Sequence, residues 1–171
     1  MFGRRSGEDV RPTLDQWAMQ LARATATRAT CLRRAVGCVL LDAKGRVIST
    51  GYNGVAAGQP HCNDEASAKV VVMGEHHVVT NHPNACPGSA LPSGTGLDAC
   101  QAIHAEQNAL LQCRDVDRVH ACYSTASPCV TCTKLLLNTG CEHVFFDEEY
   151  PQPEARELWL KSGRGRTWTK V

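Results

Sequence analysis

Four residues in two short stretches carry the chemistry this sequence can offer. "HAE", His104 to Glu106, sets an imidazole two residues before a carboxylate, and "PCVTC", Pro128 to Cys132, sets two thiols three apart behind a proline. Taken alone, Cys129 and Cys132 have several readings: a redox pair, half of a zinc ribbon, a disulfide, or part of a catalytic metal site. A ribbon needs a second C-x-x-C, which the sequence lacks. A thioredoxin-type pair follows the first strand of a βαβ unit, whereas this one follows a later strand. With His104 the set becomes one nitrogen and two thiolates, which leaves the fourth tetrahedral position of a zinc ion to water. Residues three apart on a helix share a face, so both sulfurs can reach one ion, and a helix N-terminus favours the thiolate. Zinc lowers the pKa of water from about 15.7 towards about 7. Glu106 lies too far round the helix from His104 to ligate the same ion easily, but it can take and return protons.

The elements that hold these groups follow from periodicity and punctuation. "PTLDQWAMQLARATATRA" predicts a helix with Thr13 as N-cap and Leu14, Trp17, Leu21 and Ala24 at helical spacing. "AVGCVLLD" and "RVISTGY" predict two strands joined by a turn at "AKG", and Asn53 to Gly58 a glycine-bearing loop. Residues 59–100 hold Pro60, Pro83, Pro87 and Pro92 among scattered histidines and cysteines, with no periodic core pattern; "SAKVVVMG" there reads as a short helix or a strand. Then "CQAIHAEQNALLQC" predicts an amphipathic helix, "DRVHACYST" a strand, and "PCVTCTKLLLNTG" a helix opened by Pro128 and closed by Gly140. "EHVFFDEE" predicts a strand, "PQPEARELWLKSG" a helix, and "RTWTKV" a last edge strand. This order predicts an α/β fold, a mixed sheet with helices on both faces.

Composition narrows the function. The 171 residues carry a net charge of +1, 43% apolar and 20% charged residues, ordinary for one globular domain. So small a charge argues against a strong electrostatic grip on nucleic acid or an anionic membrane. The longest apolar run, Ala35 to Leu41, is too short to span a bilayer. "MFGRRSGEDVRPT" has no apolar signal region, so the expectation is a cytoplasmic protein. Ten cysteines in such a chain stay reduced, and metal binding explains some of them better than disulfides do. Cys38, Cys113, Cys122 and Cys141 sit in strand or helix patterns and read as core.

H-x-E followed by P-C-x-x-C resembles the signature of zinc nucleobase deaminases. Over most of its length the chain resembles the deoxycytidylate (dCMP) deaminases, through "RATCLRRAVGCVLLD", "ISTGYNGVAAGQPHC", "PSGTGLDACQAIHAEQNALLQC" and "YSTASPCVTCTKLLLNTG". The "GYNG" followed by "HC", and the cysteine four residues before His104, are more specific to that family than H-x-E. The resemblance implies a cytidine-deaminase-like three-layer α/β/α sandwich with a central mixed sheet, forming one domain over residues 1–171 with a zinc-pinned insertion at about 59–100. It implies hydrolysis of dCMP to dUMP and ammonia, supplying dUMP for thymidylate synthesis, with Glu106 as the proton carrier and His104, Cys129 and Cys132 as zinc ligands. It implies substrate contacts from Asn53 to the sugar, Ala105, Ser127 and Pro128 around the base, and Tyr150 near the phosphate; Arg28, Arg33 and Arg34 are further phosphate candidates. For Asn53, a turn residue at positive φ is the plainer reading.

The resemblance further implies a second, structural zinc. Its candidate ligands are Cys31, Cys62, Cys86 and Cys100, with His61 or His82 in place of Cys86. It also implies a homo-hexamer activated by dCTP and inhibited by dTTP, with the effector and its Mg²⁺ at Gly51, Tyr52, Asn53 and Gly54. Gln112 and Arg114 lie where the family forms its interface. The competing readings are a cytidine or deoxycytidine deaminase, a tRNA or single-strand editing enzyme, and a non-catalytic zinc-stabilised binding module, which has no use for Glu106.

Overall fold

The computed structural model describes residues 11–63, 69–73, 77–81, 86–89, 91–92, 94–96, 99–163 and 165–171; His82 lies outside them. Helix α1 (Leu14–Ala26) begins at Thr13, whose hydroxyl accepts from Gln16 N while Gln16 Oε1 accepts from Thr13 N, a reciprocal cap. Strands β1 (Gly37–Leu41) and β2 (Val47–Tyr52) form the expected hairpin, with Gly45 at φ 72° in its turn. Asp42 holds the turn together by accepting from Lys44 N and Arg46 N.

The predicted loop at Asn53 to Gly58 opens instead as strand β3 (Gly54–Val55), which pairs with β6 (Ala102–Ile103). Between them, β4 (Lys69–Met73) and β5 (His77–Asn81) make a separate antiparallel ladder, so "SAKVVVMG" is strand. The predicted helix from Cys100 starts late, as α2 (Ala105–Gln112), because Ala102 and Ile103 are drawn into the β3 ladder. A short 3₁₀ turn (Val116–Arg118) leads into β7 (Ala121–Ala126), followed by α3 (Val130–Leu137), β8 (His143–Glu148), α4 (Pro153–Lys161) and β9 (Thr167–Lys170).

The main sheet has the order β2-β1-β7-β8-β9. Strand β1 is antiparallel to both neighbours, while β7, β8 and β9 run parallel, so the sheet is mixed as expected, with β9 at its edge. Alternation along β1 sorts the core. Val39 and Leu41 pack against Ala18, Met19 and Ala22 of α1 on one face. Cys38 and Leu40 pack with Ala105, Ala109, Leu136 and Trp159, from α2, α3 and α4, on the other. The result is the three-layer sandwich.

Helix α1 turns a different face inward than its large apolar residues suggested. Ala18, Met19, Ala22 and Ala26 are buried, whereas Leu14 and Trp17 are 49% and 36% exposed. The cause is Gly37: a Cβ there would lie 2.1 Å from Ala22 O. A helix lying that close to the sheet must meet it with small side chains. Of the four cysteines read as core, Cys38, Cys122 and Cys141 are fully buried and Cys113 lies at the rim. No helix among the described residues is long and apolar enough to cross a membrane.

Candidate metal and active site

Two helix starts meet at one cleft. His104 is the N-cap residue of α2, its backbone N donating to Gln107 Oε1 at 2.8 Å, and Glu106 sits in the first turn. Cys129 is the N-cap of α3, its sulfur 3.5 Å from Cys132 N. Pro128 and the extended backbone at Cys129 keep Cys129 out of the helix, so the two thiols straddle its first turn instead of lying one above the other. The loop after β8 steadies this arrangement. Gln152 Oε1 accepts from Val130 N, Tyr150 N donates to Ser127 Oγ, and Ser127 N donates to Glu148 O. On the other side Asn108 Nδ2 donates to Tyr52 O at 2.7 Å, locking α2 onto β2.

His104 Nδ1 lies 3.4 Å from each of the Cys129 and Cys132 sulfurs. Bonds of about 2.0 Å to nitrogen and 2.3 Å to sulfur at a tetrahedral angle require a separation of about 3.5 Å, so this donor set fits zinc. Its electrostatics agree. Hydrogen bonding from Cys132, with further help from His104, draws the Cys129 thiol down to about 4. The same contact and burial push Cys132 well up. The contact with Cys129 raises His104. A thiolate is thus in place before metal arrives, and metal binding displaces the remaining protons. Both helix N-termini add positive potential at the same spot. Glu106 is 4% exposed, and burial pushes its carboxyl up to about 6. A carboxyl with that affinity can both accept and release a proton near neutral pH.

The cleft has a volume of about 540 Å³. His104, Ala105, Glu106, Cys129, Asn53, Ser127 and Tyr150 all line it. Pro128, next to Ser127, is fully buried. Asn53 is not a positive-φ turn residue: its Oδ1 accepts from Val36 N at 2.8 Å and its Nδ2 donates to Arg34 O at 2.7 Å, so it braces the segment that forms the cleft wall. Arg33 and Arg34 line the cleft, but Arg28 does not and is exposed. Arg34 pairs with Glu148, whereas Arg33 donates to the carbonyls of Pro92 and Thr95. Sequence reading missed Gln107 and Gln152, which orient the two helix starts; their polar side chains near each N-cap were the available signal.

Cys31 and Cys100 are half-buried and line the same cleft, while Cys62 and Cys86 are buried. Burial pushes Cys86 up, but hydrogen bonds from the Gln101 backbone, from Cys62 and from Cys100 outweigh it and hold the thiol low. Cys62 and Cys100 are raised by burial and further by the neighbouring Cys31 and Cys86. His61 is exposed. Among the described residues, three potential ligand atoms lie within 4.8 Å of one another at His104, Cys129 and Cys132, and again at His120, Glu142 and His143. The four cysteines fall short of that criterion. The glycines of "GYNG" have a packing cause: a Cβ at Gly51 would lie 2.3 Å from Ala105 O, and one at Gly54 would lie 2.4 Å from Thr30 Oγ1.

A family model described as the cytidine and deoxycytidylate deaminase zinc-binding region matches residues 12–148. The deoxycytidylate deaminase of Mycobacterium phage D29 is 35% identical over 140 residues, which cover 81% of this chain and 98% of the relative. Those of Schizosaccharomyces pombe and Saccharomyces cerevisiae are 34% and 32% identical over 82% and 90% of this chain, which spans only 38% and 43% of their lengths. Among solved structures, the dCMP deaminase of cyanophage S-TIM5 in complex with dCMP and dUMP is similar with a TM-score of 0.64 at 22% identity, covering 95% of this chain and all of that one.

Proposed function

Because the chain belongs to the cytidine and deoxycytidylate deaminase zinc-binding family, we propose that it hydrolyses the exocyclic amine of dCMP, giving dUMP and ammonia. The observation that carries this reading is the buried Glu106 carboxylate opening on the same cleft as His104 and Cys129. Zinc held by His104, Cys129 and Cys132 supplies the Lewis acidity that makes water a nucleophile near neutral pH. Glu106 takes the proton from that water as it attacks C4, then delivers protons to ring N3 and to the departing amine. Burial keeps the carboxylate from exchanging its proton with bulk solvent between those steps. Ala105, Ser127 and Pro128 enclose the base, Asn53 holds the wall beside the sugar, and Tyr150 stands at the phosphate end. Arg33, whose recorded partners are uncharged carbonyls, is the cation best supplied with unspent charge for a phosphate.

A second, structural zinc held by Cys31, Cys62, Cys86 and Cys100 is supported by the mutual influence of these thiols. Such an ion would pin the insertion at about 59–100 to the rest of a single domain over residues 1–171. Activation by dCTP, inhibition by dTTP with Mg²⁺ at Gly51 to Gly54, a homo-hexamer and a cytoplasmic setting rest on the family resemblance alone. The reading as a cytidine or deoxycytidine deaminase differs in needing no phosphate contact.

Ammonia release from dCMP, deoxycytidine, CMP and single-stranded DNA, measured side by side, tests the assignment. A charge-assisted phosphate contact contributes several kcal/mol, and each 1.4 kcal/mol is about tenfold. dCMP is therefore expected to exceed deoxycytidine by at least about a hundredfold in kcat/KM. Equal efficiency on the two would transfer the chain to the nucleoside deaminases.

A further inference from the structure

We infer that His120, Glu142 and His143 form a second divalent-metal site, at the opposite end of the sheet from the catalytic cleft. The cluster sits where β7 and β8 begin, whereas the cleft sits where β7 ends. A six-residue strand separates the two by roughly 20 Å. Two segments distant in sequence are brought together here by backbone bonds. His120 N donates to Leu41 O at 2.8 Å, and His120 O accepts from both Glu142 N at 2.9 Å and His143 N at 3.2 Å. One carbonyl thus fixes the spacing of all three ligand-bearing residues.

The side chains then converge. His120 Nδ1 is 3.7 Å from Glu142 Oε2, the two imidazole rings stand edge to face at 4.8 Å, and one ligand atom from each residue lies within 4.8 Å of the others. Ligand bonds of about 2.0 Å set neighbouring ligand atoms about 3.3 Å apart, so an ion needs a closure of roughly 1 to 1.5 Å. The Glu142 side chain, 50% exposed, can supply it by rotation. His143 Nδ1 is 3.0 Å from Thr167 Oγ1 at the start of β9. A ligating histidine characteristically holds its second nitrogen in such a bond, which orients the ring. The nearby cations are engaged elsewhere: Arg118 with Asp42, and Arg166 with Ser162 and the ring of Trp159. An exposed His120–Glu142 ion pair alone contributes little and does not require His143 to face it.

Two imidazoles and one carboxylate select a borderline cation such as Zn²⁺ over Mg²⁺, which demands oxygen ligands and retains its waters. The ion would cross-link the starts of β7 and β8, leaving the reaction untouched. Zinc-loaded protein, titrated calorimetrically with further Zn²⁺ and separately with Mg²⁺, tests this alongside His120→Asn and Glu142→Gln. Glu142 is exposed enough for its variant to fold if the other does not. The wild type is expected to take up one more zinc per chain than His120→Asn at micromolar free zinc, with no response to Mg²⁺. Glu142→Gln should bind at least tenfold more weakly, and turnover should be the same in all three. Equal uptake by wild type and variants, or uptake by the wild type only at millimolar zinc, would overturn the site.

Discussion

Replacing Gly51 by alanine should disable the enzyme out of proportion to the stability it costs. A Cβ at position 51 would lie 2.3 Å from both Ala105 O and Ala109 N and 2.9 Å from Ala109 Cα. Carbon and oxygen meet comfortably at about 3.3 Å or more, so α2 must retreat from β2 by about 1 Å. That helix carries His104 at its start and Glu106 in its first turn, while Cys129 and Cys132 belong to α3 and stay behind. Overpacking of this kind costs about 1–3 kcal/mol, and a displacement of about 1 Å in a catalytic group costs about 10²-fold in rate. Gly37→Ala supplies the control. Its Cβ would lie 2.1 Å from Ala22 O and 2.4 Å from Ala26 N, an equal collision, but against α1 on the opposite face. Melting temperature, bound zinc and kcat/KM on dCMP are measured for both variants. Both should melt several degrees below the wild type, since about 1 kcal/mol shifts a protein of this size by about 2–4 °C. Only Gly51→Ala should lose about 10²-fold in activity. Matched activity in the two variants, or a Gly51→Ala enzyme within a few-fold of wild type, would refute the claim that β2 sets the position of the catalytic helix.

Glu106→Gln should retain zinc at wild-type stoichiometry by metal analysis while dCMP turnover falls by at least about 10²-fold, because the carboxylate handles protons and does not ligate; near-normal turnover would remove it from the mechanism. The Asp42 carboxylate is held well below the usual range, chiefly by the hydrogen bond from the Arg46 side chain at 2.8 Å. A lowered folded-state value stabilises at pH above the unfolded value near 3.9 and is lost as pH falls below it. Asp42→Asn should therefore lower the urea midpoint at pH 7 and converge with the wild type on acidification towards pH 2; a gap that persists unchanged at low pH would contradict this.

The metal ligands were legible in the sequence because they sit at helix starts, where a few residues fix the geometry locally. The strands of the main sheet were legible for a similar reason: alternation and β-branching act over five or six residues. What could not be read depended on contacts distant in sequence. The buried face of α1 is chosen by Gly37, which admits Ala22 and Ala26 and turns Leu14 and Trp17 outward, against the apparent apolar stripe. The late start of α2 depends on Ala102 and Ile103 pairing with a strand some fifty residues earlier. His120 and Glu142–His143 lie in separate stretches that no spacing rule connects, and only the parallel register of β7 and β8 joins them. Asn53 showed its place in the cleft but not its task, since Val36 and Arg34, the backbone groups it braces, come from the other side of a hairpin.

The short β3–β6 ladder has a consequence for how freely the chain can vary. Gly54 pairs with Ile103 and Val55 with Ala102, so the segment between them leaves and re-enters the fold through one two-rung gate directly ahead of His104. Closing a loop costs an entropy that grows only with the logarithm of its length, about 0.6 kcal/mol for each doubling. Halving or doubling the segment between Val55 and Ala102 is therefore almost free as far as the gate is concerned. The two rungs carry the burden of registering β2 against α2, whatever hangs beyond them. Length in this region is open to shortening, grafting or insertion of a foreign domain, provided the four paired residues are kept.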